Sequence, residues 1–435
     1  MKSPKNLRSI NNDSAYAIVN AAYKQAVGAS AVDTLDLKDF CDSGVAYDSL
    51  TIGRDQFYKA LLDQVVNFYN DESYASEFID PFYVDDVRFS NVLAMVNITA
   101  NDVEESHAWR NFQPDTSQTP PTYATVGTYS VKPSKVDVRY ATKSVAWELP
   151  LWITEEQETT AFRSESELRG FIDYLYITTE NKLLAHRQQL TQANVASLIG
   201  HKILAHNEGT PGIHKVNLLE AYNRDRGKHI STVAEFMADP DALRYASAQI
   251  MLYSRYMRVQ STLFNTEGLV KFCPADRLIL EVNSAFENAM SEVALSTTFH
   301  DEYIELLGSN KISVPAWQGF GVNSIADSTT AAAFDQVTKI DVTLDKESTM
   351  TNTNATITQS GIVALLADQY SALHCIKNIR VAAQRFEVEN LLYMAYQNRD
   401  MFVNNLAQNA VVFTVEAPVS PTPSAITMDI GSKKK

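Results

Sequence analysis

Residues 164–199 read SESELRGFIDYLYITTENKLLAHRQQLTQANVASLI. Ser164 and Glu167 stand at the Ser-x-x-Glu spacing of a capping box, in which hydroxyl and carboxylate each satisfy an orphan backbone N–H. Leu168, Phe171, Ile172, Leu175, Leu183, Leu190, Val195 and Leu198 follow at helical spacing, and no proline interrupts the run before Gly200. Such a helix would be roughly 50 Å long, several times the usual ~11 residues. Its charged residues, among them Glu165, Arg169, Asp173, Glu180 and Arg187, are spread along it rather than gathered at e/g heptad positions, so it is not a coiled coil. They are expected on the solvent side. Thr178 to Glu180 interrupt the apolar stripe, and a bend is expected there. The helix is a spine from which the rest of the chain hangs.

The period changes upstream of it. Val92 to Thr99 reads as a strand, and after a polar, proline-containing loop comes the clearest β alternation in the chain. Val136, Val138 and Tyr140 face one way, with Lys135, Asp137 and Arg139 opposite; Val145, Trp147 and Leu149 repeat the pattern. A ribbon of two or three strands is marginal by itself in water. No neighbouring stretch obviously covers it, so either the body folds back over it or another copy of the chain does.

Upstream, residues 1–79 read as an arm with one amphipathic helix from Asp55 to Tyr69, and Phe78 to Tyr83 is a turn with Pro81 holding Asp80 out of the α region. Downstream, Asn207 to Gly212 reads as a turn and Ile213 to Leu219 as a short strand. Asp239-Pro240 is an N-cap with proline at N1, opening a helix through Leu243, Ala246, Ile250, Tyr253 and Met257. Arg277 to Val282 is a strand, Phe286 to Val293 a helix, and Val314 to Gly319 a loop carrying Trp317. Further strands are expected at 339–344, 361–366, 373–376 and 411–415, before a proline-bearing tail. Strands and helices are grouped rather than alternating βαβ, so the fold class is α+β.

Composition narrows the function. With 45% hydrophobic and 20% charged residues the chain is globular. No window is apolar enough to span a membrane, and Met1 to Ile10 lacks the apolar core of a signal peptide. Cys41, Cys273 and Cys375 form no C-x-x-C pair, so neither a disulfide framework nor a zinc site is expected, and synthesis in a reducing cytoplasm is. Net charge is −15; the two basic termini leave about −20 on the body, which argues against wrapping duplex nucleic acid by phosphate neutralisation. His201, His206 and His214 lack H-E-x-x-H spacing, and a surface or capping role is expected for them. The acids between Thr154 and Glu158 suit a helix start. Gly319-Phe-Gly321 is half a dinucleotide fingerprint without strand or helix around it. There is no nucleophile elbow or Walker A loop. Trp109, Trp147, Trp152 and Trp317 are expected to pack in cores or interfaces. No catalytic, cofactor-binding or metal residue is expected: the reading is of a structural protein, not an enzyme.

The stretch from Val136 to about Gly200 resembles major capsid proteins of tailed phages, especially those of short-tailed, phi-twenty-nine-like phages and their gut relatives. The resemblance continues, in order, through Asp239-Pro-Asp-Ala-Leu-Arg-Tyr-Ala-Ser247, Ser261-Thr-Leu-Phe-Asn265, Thr298-Phe-His300, Val314-Pro-Ala-Trp-Gln-Gly319, Ser360-Gly-Ile-Val-Ala364 and Asn409-Ala-Val-Val-Phe-Thr-Val415. It implies the Hong Kong 97 capsid fold: an N-terminal arm (1–79), an extended β-hairpin or E-loop (92–145), a peripheral P domain (80–91 and 146–204) with the spine helix 164–199, an axial A domain (205–330), returning strands shared by both (331–417) and a flexible tail (418–435). It also implies a homo-oligomer of pentamers and hexamers that self-assembles into the icosahedral or prolate head of a double-stranded DNA phage, with portal and scaffold or cement proteins as partners and no membrane. Val136, Val138, Tyr140, Val145 and Trp147 are the intersubunit contacts expected from it. Some shells of this fold carry Lys–Asn cross-links, but no motif singles out Lys132, Lys135 or Lys143. An encapsulin-like compartment enclosing protein cargo, and an enzyme of unknown type, are the alternatives.

Overall fold

Helix α1 spans Glu165–Asn207, 43 residues and about 65 Å, in a computed structural model. The structure describes residues 165–295, 311–318, 332–344, 354–386 and 391–417, the segments 93–99, 114–115, 122–123, 135–141 and 144–154, and positions 60, 81–83, 156–157 and 389. Outside them lie the arm helix expected at 55–69 (except Ala60), Ser164 of the expected capping box, most of the loop from 102 to 122, residues 298–301 and 319–321, Trp109, Cys41, Lys132, Lys143 and the tail 418–435.

The spine differs from expectation at three points. It is unbroken through Thr178 to Glu180, where Thr179 is buried, so packing absorbs the polar step in the stripe. It runs past Gly200, which is buried with Leu344 Cδ2 only 3.5 Å from where a Cβ would sit. Glycine costs about 1 kcal/mol in a helix interior, and here close packing against a hairpin offsets it. The helix stops instead at Gly209, whose φ is 71°. There Gly209 N–H donates to His206 O and Thr210 N–H to Ala205 O, the paired bonds of a Schellman end. Third, Arg187 is fully buried, not a solvent-side charge.

Strands β1 (Leu93–Thr99), β2 (Pro114–Asp115), β3 (Thr122–Tyr123), β4 (Lys135–Ala141) and β5 (Val145–Thr154) precede the spine. After it come β6 (Lys215–Asn217), α2 (Leu218–Arg226), α3 (Val233–Ala238), α4 (Pro240–Met257), β7 (Leu278–Asn283), α5 (Ser284–Leu295), β8 (Lys311–Val314), α6 (Ala332–Val337), β9 (Ile340–Leu344), β10 (Ala355–Gln359), β11 (Ile362–Asp368), β12 (Ala372–Phe386), β13 (Leu391–Asn404) and β14 (Ala410–Thr414). The segment expected as one strand over 213–219 divides into β6 and the start of α2, because Asn217 caps the helix by accepting from Leu219 N–H. Asp239 caps α4 with Pro240 behind it, as expected.

The body is built on a mixed five-stranded sheet in the order β6-β14-β11-β7-β8. One face receives the C-terminal part of α1, where Val195, Leu198, Ile199 and Ile203 pack with Ile279, Leu365 and Val412. The hairpin β9–β10 joins this layer through Ile340, Leu344 and Ile357. The other face receives α2 to α5, where Leu219, Tyr222, Leu243, Ile250 and Phe286 pack with Leu280, Leu366 and Phe413. Helices on both faces explain why β7, β11 and β14 are buried along their whole length and read as near-continuous apolar runs. Trp317 is buried in the first layer and donates from its indole N–H to Ile362 O at 2.7 Å.

A second, antiparallel sheet has the order β12-β13-β5. β12 and β13 form a long hairpin, and β5 adds along β13 from Asp400↔Val145 to Leu391↔Thr154. Leu149, Leu151 and Ile153 on β5 point inward with Leu392, Met394 and Tyr396 on β13. Trp147 continues that face half-buried, whereas Val145, at the strand start, is 41% exposed.

Candidate assembly surfaces

Strands β1 and β4 pair antiparallel in one continuous register. Val136 lies opposite Ile98, Val138 opposite Val96 and Tyr140 opposite Ala94. Directly opposed residues share a face, so the register assembles one apolar face from both strands. Asp137, Lys135 and Arg139 fall on the other, opposite Asn97, Thr99 and Met95. Among the described residues the ribbon is a two-stranded sheet of its own. β5 does not extend it, because that strand is consumed by β13. Val145 and Trp147 therefore belong to a different sheet from Val136, Val138 and Tyr140.

Trp147 is held within its own chain. Its indole N–H donates to Asp400 Oδ2 at 2.8 Å, and its ring meets His186 of α1 edge-on at 4.8 Å. Asp400 is fully buried and also accepts from Asn398 Nδ2 at 2.9 Å. His374, buried beside it, stacks on Phe402 at 4.4 Å. This polar layer beneath the second sheet ties β5, β12 and β13 to the spine; nothing in the sequence spacing foretold it, since its members come from four separate segments.

The outward face of the same sheet divides into two ends. Trp152, 55% exposed, lies 4.6 Å from the Tyr393 ring and 6.5 Å from that of Phe386. At the other end Glu148 accepts from Gln397 Nε2 at 3.2 Å, beside exposed Arg380 and Arg399.

A third cluster sits where α1 enters the body. Lys202 is fully buried and donates from Nζ to Phe264 O at 2.9 Å. Burial lowers its pKa to about 7, a drop that Glu267 only partly opposes. His201 and His214 are also buried, contrary to the expected surface role, while His206 is exposed in the last helical turn. Burial first, then the neighbouring Lys202 charge, lowers each of the two buried histidines to about 4. No group of three or more His, Cys, Asp or Glu among the described residues could hold a metal ion. Cys273 and Cys375 are free and buried, and burial pushes the Cys273 thiol pKa up. No helix among the described residues is long and apolar enough to cross a membrane.

Together these are a two-sheet body on a long helix, a separate two-stranded ribbon and an exposed aromatic cluster, which suit a structural protein. The sequence matches the model of the Phi29-like phage major capsid protein family over residues 17–414, and the chain belongs to that family. It is a structural protein of a phage head with an α+β fold, and its place is the virion capsid. No curated protein sequence matches it. In three dimensions it is similar to a chain of the capsid of Staphylococcus phage Andhra, at 7% identity over 78% of this chain and 87% of that one, with a TM-score of 0.42. It is similar to a chain in the structure of the head fibre and inner core protein of native bacteriophage P68, at 8% identity over 77% and 83%, with a TM-score of 0.47. A virus-like particle from Pyrococcus furiosus gives 8% identity over 80% and 95%, with a TM-score of 0.34.

Proposed function

We propose that copies of this chain associate as pentamers and hexamers and close into the icosahedral or prolate head of a double-stranded DNA phage, made in the host cytoplasm. The contribution of each chain is contact area rather than chemistry. The observation that carries this is the ribbon register, which sets Val136, Val138 and Tyr140 with Val96 and Ile98 on one apolar face of a sheet too small to stand alone. A neighbouring subunit that covers this face gains about 25 cal/mol per Å² of apolar surface removed from water. Exposed Val145 adds to the same contact near the ribbon base. Trp147 supports it from inside, by fixing the strand that leads to the spine.

In this reading the ribbon is the E-loop (92–145), the spine and second sheet make the P domain, and the body from 205 onward makes the A domain with the returning strands. Portal and scaffold or cement proteins complete the head. The net charge of −15 suits a lumen along which packaged DNA slides without sticking. Negative-stain microscopy of the overexpressed chain tests the reading: shells or tubes are expected. Val138→Asp should leave a folded, unassembled chain. A wild-type chain that stays monomeric with scaffold present, across salt conditions, would refute it.

A further inference from the structure

The face of the five-stranded sheet that meets α1 is mainly apolar, and β7 carries an exception. Alternation along β7 sends Leu278, Leu280 and Val282 to the layer shared with α2 to α5, and Ile279 to the layer shared with α1. Glu281 therefore falls on the α1 side, and it is buried. A buried carboxylate in an apolar layer is the informative kind of exception. On α1, Gln188, Thr191 and Gln192 precede Val195, the first α1 residue of that layer, at the spacings that share a helix face with it. Where this polar stretch crosses the sheet edge, a partly enclosed cleft of about 70 Å³ lies between α1 and β8, and Glu281, Val195, Ile312 and Trp317 line it too.

The lining favours a cation that donates hydrogen bonds. Among the described residues it comprises one carboxylate, the carboxamides of Gln188 and Gln192 and the hydroxyls of Thr191 and Ser313, with no lysine, arginine or histidine. No group of three or more His, Cys, Asp or Glu among the described residues suits a metal ion, which leaves an organic cation. An ammonium has three N–H donors and no acceptor, and its hydrogen bond to a carboxylate is roughly twice as strong as a neutral one. Size sets the rest. A cavity of about 150 Å³ holds benzene, so half that volume takes an end of roughly three or four heavy atoms while the remainder of the ligand runs out to solvent. Val195, Ile312 and the Trp317 ring form an apolar wall for methylene groups. The Trp317 indole N–H is already donated to Ile362 O.

We infer that the cleft between α1 and β8 that holds Glu281 binds the ammonium end of a linear aliphatic diamine or polyamine. The ammonium meets the Glu281 carboxylate and the amide oxygens of Gln188 and Gln192, and the methylenes lie against Val195 and Ile312. Such a ligand touches α1, β7, β8 and the Trp317 loop at once, and so ties the spine to the edge of the sheet. The site lies within one chain and goes beyond the shell reading, since it does not depend on assembly.

Isothermal titration calorimetry of 1,4-diaminobutane into the unassembled full chain tests it, at neutral pH and about 150 mM salt, where exposed charges more than about 8 Å apart are largely screened. Binding of one diamine per chain is expected. Glu281→Gln should weaken it about tenfold or more, and Gln192→Leu, at a half-buried helix position, about fivefold. 1,4-Butanediol, equal in length but uncharged, should not bind. Circular dichroism establishes that each variant is folded, and if Glu281→Gln is not, Gln192→Leu and the diol still decide. Absence of saturable binding up to about 10 mM overturns the inference. So does a folded Glu281→Gln or Gln192→Leu chain that binds the diamine like wild type, which would place the amine on the acidic surface at large, or a diol that binds as well as the diamine.

Discussion

Lys202 offers a quantitative test of how α1 is seated in the body. Its ammonium is fully buried on the helix and its pKa falls from 10.5 to about 7. The unfolded chain holds that proton up to about pH 10.5, whereas the folded chain releases it near 7. Between those values the unfolded state binds more protons, so stability rises with pH, by about 1.4 kcal/mol per unit at full effect. From pH 7.0 to 8.5 the gain from this one group is about 2 kcal/mol, because the folded lysine is still half protonated at the lower value. Lys202→Met keeps the apolar stem and removes the titration. The Phe264 carbonyl it abandons still accepts from Ala410 N–H at 3.0 Å, so no acceptor is orphaned. The variant should be more stable than wild type by about 3 kcal/mol at pH 7.0, after allowing about 1 kcal/mol for the lost hydrogen bond. That advantage should shrink by about 2 kcal/mol at pH 8.5. Urea unfolding of the unassembled chain at both pH values measures it; groups not coupled to Lys202 cancel in the difference between the two proteins, and His201 and His214, which are coupled to it, titrate below this range. A gap that does not change with pH, or a variant less stable at both, would refute the placement of Lys202 as a buried, desolvated amine.

The same cluster predicts the acid limb. His201 and His214, with folded pKa values of about 4 against 6.5 unfolded, favour the folded state above pH 6.5, and that contribution is lost as pH falls from 6.5 towards 4. The steepest loss is about 2 kcal/mol per pH unit for the two, and Lys202→Met, by removing the repelling charge, should flatten it; a urea series from pH 7 to 4.5 reads both. Gly361 has φ +76° and its missing Cβ would meet the Val415 carbonyl oxygen inside contact distance, at the start of β11. Gly361→Ala should therefore cost at least about 2 kcal/mol, seen as a lower denaturant midpoint with unchanged slope. Trp147→Phe removes the indole donor to the buried Asp400 carboxylate and should cost about 1.5–3 kcal/mol, while Val145→Ala, on an exposed strand start, should stay within about 0.5 kcal/mol in the unassembled chain.

Local signals carried far along this chain. Helical spacing from Leu168 onward, the Asp239-Pro240 cap and the alternation from Lys135 to Tyr140 each describe a structure that a few neighbouring residues make by themselves, and α1, α4 and β4 are where they were expected. The strands 278–283, 362–368 and 410–414 were legible as apolar runs too. Three further local signals went unread: the Thr232–Glu235 capping box of α3, the reciprocal Thr154–Gln157 pair that ends β5, and the Schellman glycine at 209.

Other features depend on partners far away in sequence. The helix passes Gly200 because Leu344 and Val342 of β9 pack there, and Lys202 is buried where the loop carrying Phe264 meets the helix; a window of sequence shows a breaker and a charge. β13 and most of β12 escaped notice because their outer positions mix Arg, Gln, Tyr and Phe, which blurs the alternation. For the same reason Val145 and Trp147 looked like a continuation of the ribbon, when a partner strand some 250 residues later takes β5 into another sheet. The sequence by itself determined the spine, the apolar face of the ribbon and the family, since these rest on short-range periodicity and on the order of motifs. The tertiary structure alone decided where the spine ends, which charges are buried and which aromatic face is left open, because burial is a property of what folds back over a residue and not of the residue's neighbours in the chain.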